Sequence, residues 1–152
     1  MPIRAQPPTI FMQVAGTGHR ITCEHPLPVL AERPAVRDLL LRFVHVMYTQ
    51  AAYSALTNAV HHLDQRLARW LLMCHDRSTG DEMPLTHEWL SLMLGVRRPS
   101  VTTALHELEG KHLIGMDRGY ITVRRREALE EFAADAYGRP EQEYRRLVGP
   151  MR

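Results

Sequence analysis

The residues of this chain best suited to specific recognition chemistry are Arg97, Arg98, Ser100, Thr102 and Thr103. Arginine presents parallel N–H donors that match a planar pair of acceptors or a phosphate, and short hydroxyl side chains donate or accept at close range. No carboxylate follows until Glu107, so an anion meets no repulsion along this run. Thr86, His87 and Arg118 are further polar candidates on either side. Apolar spacing decides where all of them point. Val101, Ala104, Leu105 and Leu108 recur with the helical period and predict a buried stripe, so the residues off that stripe face outward.

The elements that must hold these side chains are legible. Thr86 can cap a helix that buries Trp89, Leu90 and Met93. Gly95 ends it, because glycine enters the left-handed region without a Cβ penalty. Pro99 is tolerable only in the first turn of a second helix, expected over about 97–109. Leu113-Ile114 and 120–123, joined by Asp117-Arg118-Gly119, predict a β-hairpin. Helix, tight turn, helix and hairpin is the layout of a winged helix-turn-helix, which lays its second helix in the DNA major groove. Helix-glycine-helix alone also occurs in ordinary small helical proteins. Charge favours the DNA reading: residues 97–126 carry seven Arg/Lys against three Asp/Glu, while the 152-residue chain is only +2. A basic stripe on a balanced protein is the footprint of a phosphate-binding face.

Composition excludes several classes. The chain is 45% hydrophobic, enough for a core, yet has no run of roughly 18 apolar residues for a membrane span. The opening MPIRAQPPTIF lacks the apolar segment of a secretory signal, and two cysteines cannot make a disulfide framework; reduced thiols in the cytoplasm are expected. Nine histidines raise the question of metal. His19, Cys23 and His25, then His61 with His62, then Cys74 with His75 lie close in sequence, but no pair has the spacing of a tetrahedral set, and no metal or other cofactor is expected. No nucleophile-base pair, phosphate loop or paired carboxylates suggest an enzyme.

Upstream, residues 9–30 read as β-rich, with a hairpin of 10–14 and 20–23 about a Gly16-Thr17-Gly18 turn. From Pro34 a single helix of about 27 residues is predicted. It is apolar on two sides, Val36, Leu40, Phe43, Met47 and Ala51 on one and Leu41, Val44, Tyr48, Ala52 and Ala55 on the other. A helix apolar on more than one side must be covered on more than one side. Little other mass exists here, so a dimer seam through Val36, Leu40, Phe43, Met47, Ala51 and Ala55 is the economical expectation, against an ordinary core helix. Asp64 is read as the cap of a helix 65–75. After the hairpin, 124–137 reads as one amphipathic helix ended by Gly138, and Pro140 opens a last short one.

The runs DQRLARWLLM, LTHEWLSLMLGVRRPSVTTALHELEGKHLI and DRGYITV resemble the DNA-binding half of the Crp/Fnr transcription regulators. The helix from Pro34 resembles that family's dimerisation helix, and IFMQVAGTGHRI the closing strands of its cyclic-nucleotide-type sensor roll. The resemblance implies a mainly α fold with small β elements: a sensor-roll remnant over 1–33, a dimerisation helix over 34–63 and a winged helix-turn-helix over 64–152. It also implies a sequence-specific regulator that binds double-stranded DNA as a homodimer, with Arg98 at the base-reading position, Ser100 and Thr103 at bases or phosphate, and Thr86, His87, Arg97 and Arg118 on phosphates. Pro99 stands where many members have glutamate and Thr103 where some have a second arginine. The phosphate cassette of the sensor is missing, so cyclic-nucleotide binding is not expected, and neither iron–sulfur cysteines nor a haem signature is present. The alternative is a short interaction module that pairs with a full-length regulator and modulates it.

Overall fold

The computed structural model describes residues 17–22 and 25–151. Seven helices and a three-stranded sheet make up the described fold. Helix α1 (Pro26–Glu32) leads through Arg33 into α2 (Pro34–Val60), a helix of 27 residues, about 40 Å long at 1.5 Å per residue. Each starts on a proline, whose missing amide is not needed in a first turn. Helix α1 overturns the β-rich reading of that stretch. The first strand of the expected hairpin lies outside the described residues, and 17–22 form no strand.

His61 and His62 are both extended (ψ 151° and 158°) and turn the chain from α2 into α3 (Leu63–His75). The helix thus begins two residues before the expected 65, with His62 at the cap. Asp64 lies in the first turn instead, where its carboxylate favours the positive helix end and Oδ1 accepts from the Gln65 amide at 2.9 Å. Leu67, Ala68, Leu71 and Leu72 of α3 are fully buried and form the centre of the core.

A polar loop leads to β1 (Glu82–Met83), then α4 (His87–Leu94), α5 (Arg98–Gly110), β2 (Ile114–Asp117) and β3 (Tyr120–Val123). The sheet order is β1-β3-β2, all antiparallel, with Met83 opposite Ile121 and Met116 opposite Ile121 on the other side. Strand β1 was not expected; two residues carry no readable alternation. Core residues from α3, α4, α5, the sheet and α6 (Arg126–Ala133) join one cluster, which fixes α5 beneath its outer face.

The expected helix over 124–137 is shorter and broken. Helix α6 begins at Arg126, and Ala134 adopts φ +50° before a 3-10 turn, Ala134–Ala136. Gly138, at φ +115°, opens α7 (Arg139–Leu147) rather than closing α6. Its amide donates to Glu141 Oε2 at 2.8 Å. Among the described residues no helix is long and apolar enough to cross a membrane.

Candidate nucleic-acid interface

Local backbone chemistry sets the site. Thr86 Oγ1 accepts from the Trp89 amide at 3.2 Å and starts α4. Gly95 sits at φ +65°, ψ +37°, and the Val96 amide then donates to Ser91 O at 3.0 Å, which closes α4 and swings the chain into α5. Pro99 occupies the first turn of α5. Val101, Leu105 and Leu108 are fully buried and Ala104 nearly so, which turns Arg97, Arg98, Pro99, Ser100, Thr103 and His106 out to solvent. The positive end of the helix adds to the charge of its arginines at that edge.

The hairpin is tighter than expected. Asp117 pairs with Tyr120, so the connection is Arg118-Gly119 alone. Both residues have positive φ, +41° and +89°, as a type I′ turn requires. Arg118 therefore projects at the tip. A cleft of about 500 Å³ opens between this wing and the starts of α4 and α5, lined by Thr86, His87, Arg98, Arg118 and Tyr120, by the carboxylates Glu88 and Asp117, and by neighbouring apolar side chains. It brings Thr86, His87, Arg98 and Arg118 onto one concave surface. Arg97 lines a separate hollow with Trp89, Leu92 and Val96, and Ser100 and Thr103 line neither.

Arg97, Arg98 and Arg118 make no ion pair and no side-chain hydrogen bond among the described residues, in contrast to Arg66, Arg77, Arg126, Arg139 and Arg146. Two of the seven basic residues counted in the sequence do not belong to the free face. Lys111 pairs with Glu107 at 3.0 Å, and Arg126 with Asp76 and Glu130 at 2.7 and 2.8 Å.

The hydroxyls are partly committed. Thr102, half-buried, donates to Arg98 O at 3.2 Å and lies 2.9 Å from His87 Nδ1; Thr103 donates to Pro99 O at 3.2 Å. Partial burial, followed by the nearby Arg98 and His106, holds His87 below the ordinary imidazole range. His106, exposed one turn beyond Thr103 and 3.7 Å from Glu109, was not singled out in the sequence. Its place on the exposed face beyond Thr103 was the available signal.

The six expected seam residues of α2 are all exposed, Val36 38%, Leu40 46%, Phe43 42% and Met47 43%, with Ala51 and Ala55. Only Val46 and Thr57 of α2 are buried, so the chain itself leaves this apolar stripe uncovered. Leu41, Val44, Tyr48, Leu56 and Val60 extend the exposed apolar surface. Among the described residues no three metal-ligating side chains converge; Cys23 lies outside them.

Solved structures share the fold. A CRP-family transcriptional regulator of Thermus thermophilus matches with 24% identity and TM-score 0.52, over 57% of this chain and 47% of that one. A Crp/Fnr-family protein of Eubacterium rectale matches with 22% identity and TM-score 0.55, over 70% of this chain and 49% of that one. The chain thus spans about half the length of the structures it matches. No curated protein sequence matches it. The Crp-like helix-turn-helix domain matches residues 65–132, from α3 through the wing into α6, the segment that builds the cleft and the outward arginines. With that match added to the geometry, residues 65–132 form a Crp-like helix-turn-helix domain, and the fold around it is shared with the solved structures.

Proposed function

We propose that this chain is a sequence-specific DNA-binding transcriptional regulator that acts in the cytoplasm as a homodimer. The observation that carries the proposal is Arg98. It sits at the first turn of α5, exposed and without an internal partner, on a concave surface shared with wing Arg118. In the major groove its guanidinium matches guanine O6 and N7, a pair worth on the order of 1–3 kcal/mol of discrimination. Ser100 and Thr103 stand beside it at bases or phosphate, while Thr86, His87, Arg97 and Arg118 hold phosphates and set the register. The apolar stripe Val36, Leu40, Phe43 and Met47 supplies the seam with a second copy, which sets two α5 helices about one DNA turn, roughly 34 Å, apart.

Selection from a random DNA library at fixed salt, followed by mass measurement of the complex, tests this directly. An enriched inverted repeat carrying two chains is the expected result. A monomer that enriches nothing overturns the reading. One feature favours a second occupant for α2: its exposed apolar surface extends past the seam to Leu41, Val44 and Tyr48. If the chain dimerises only with a longer relative and ignores DNA alone, the interaction-module reading replaces the homodimer.

A further inference from the structure

We infer that α7 is a positioning strut that fixes the direction of α2 relative to α5, with the buried Arg69 and Glu141 as positioning residues at its foot. The inference rests on the homodimer reading above. It concerns the one geometric quantity such a dimer needs beyond its contacts, namely the distance between the two recognition helices.

The covalent junction cannot set that distance. Helix α2 leaves the domain through two extended residues, His61 and His62, whose dihedrals are soft. Over a helix of about 40 Å, a 10° error in direction moves the far end by roughly 7 Å, or two base-pair steps of 3.4 Å. Something else must hold the angle.

The structure supplies it from the side. Helix α7 and the 3-10 turn before it lie against the second half of α2. His45 Nε2 stands 3.3 Å from Glu143 Oε1, Arg139 Nη1 donates to Tyr53 OH at 3.2 Å, and His61 Nε2 meets Asp135 Oδ1 at 2.9 Å. Val46, beside His45, is 1% exposed, although the helix around it is bare. From the other side α3 reaches α2 through Arg66 to Asn58, Arg69 to Ser54 and Arg77 to Gln50, at 3.0, 3.2 and 2.8 Å. Helix α7 lies beyond the part of the chain that matches the Crp-like domain, and so does α2.

At the foot of the strut two opposite charges are buried, Arg69 at 1% and Glu141 at 2% exposure. Arg69 Nη1 donates to Ser54 on α2, and Glu141 Oε2 accepts from Gly138 at the start of α7. Arg69 Nε and Nη2 and Glu141 Oε1 have no hydrogen-bond partner among the described residues; the two side chains form no direct ion pair, and Glu141 acts on Arg69 as a nearby opposite charge. This setting tolerates little displacement, because moving α7 away takes the opposite charge of Glu141 from the neighbourhood of a buried guanidinium. It therefore ties α2, α3 and α7 into one fixed arrangement.

The test uses the full chain on two kinds of DNA, a single half-site and paired half-sites whose separation is varied by one and two base pairs. The variants are Glu141→Gln, which removes the buried carboxylate, and Val46→Asp, which puts a charge at the buried apolar position of α2 outside the dimer stripe; neither touches α5 or the wing. The expected result is half-site affinity within twofold of the parent, with preference among spacings reduced at least fivefold. Binding the half-site normally also demonstrates that the DNA-binding domain has folded. Unchanged spacing preference in both variants overturns the strut, as does loss of half-site binding in both, which would make α7 a support of the fold alone. A parent protein that does not prefer paired half-sites sinks the homodimer reading itself.

Discussion

His87 Nδ1 stands 2.9 Å from Thr102 Oγ1, and this contact pins the first turn of α4 to the second helix of the motif. The Thr102 hydroxyl donates its single proton to Arg98 O, so it accepts from His87, which leaves His87 Nε2 for the cleft. Thr102 thereby holds the recognition helix in place and is not free to read a base. Thr102→Val is expected to cost about 1 kcal/mol of stability, as one lost hydrogen bond with a partner left half-buried. Urea unfolding measures this. Base preference in a DNA selection should be unchanged; a changed preference at full stability would return Thr102 to the reading surface.

The same contact gives a pH dependence. Desolvation first, then Arg98 and His106, lowers the His87 pKa from 6.5. In the free protein the unfolded chain binds that proton more readily, so His87 weakens folding as pH falls below 6.5. A phosphate in the cleft supplies the opposite charge and favours the protonated ring. DNA affinity is therefore expected to rise as pH drops through about 6.5 at constant salt, and His87→Gln should flatten that part of the profile. Equal slopes for parent and variant would remove His87 from the phosphate contacts.

Much of this site was readable from residue types, because each signal was local. Thr86 as a cap, Gly95 as the left-handed break, Pro99 in a first turn and the stripe from Val101 to Leu108 each act within one turn of chain. What escaped was decided by tertiary contact. Strand β1 exists because β3 offers Ile121 and Thr122 as partners. Ala134 takes an uncommon positive φ where α6 must bend beneath α3, and no propensity of alanine announces it. Net charge over 97–126 counted Lys111 and Arg126 as if free, but their carboxylate partners are fixed by the fold.

The wing offers a variant that separates shape from charge. Arg118 lies at φ +41°, a region asparagine tolerates better, and Asn-Gly is the preferred pair for a two-residue type I′ turn. Arg118→Asn is thus expected to keep or slightly raise the melting temperature while weakening all DNAs alike and lowering the salt slope by about one. Arg98→Ala should instead flatten preference among operators. Filter binding on specific and random DNA across a salt series distinguishes the two. Matching profiles for both variants would contradict the division between base and phosphate contacts.

Behind the DNA face, Asp76 joins the end of α3 to α6 and to the turn before α7. Its side chain is fully buried, with Arg126 Nη2 at 2.7 Å and the Tyr137 hydroxyl donating at 2.8 Å. Arg126 Nη1 also donates to His75 Nδ1 at 2.7 Å, which places the His75 proton on Nε2, facing Asp81 at 2.9 Å. Removing one partner from such a pair leaves a buried charge without its counterpart, so Asp76→Ala is expected to cost about 3–5 kcal/mol, read by urea unfolding. Burial, then the Asp76 carboxylate, pushes the Tyr137 phenol above its usual 10.0. Its folded value being the higher, Tyr137 contributes stability in full below about pH 10, and that contribution is lost as pH climbs toward the folded value. Of the five tyrosines, one should therefore stay unionised in an alkaline ultraviolet titration until the protein unfolds. In Tyr137→Phe the remaining four should ionise without that late step. Should the late step survive the substitution, the protected phenol is not Tyr137, and the Asp76 cluster is looser than its distances state.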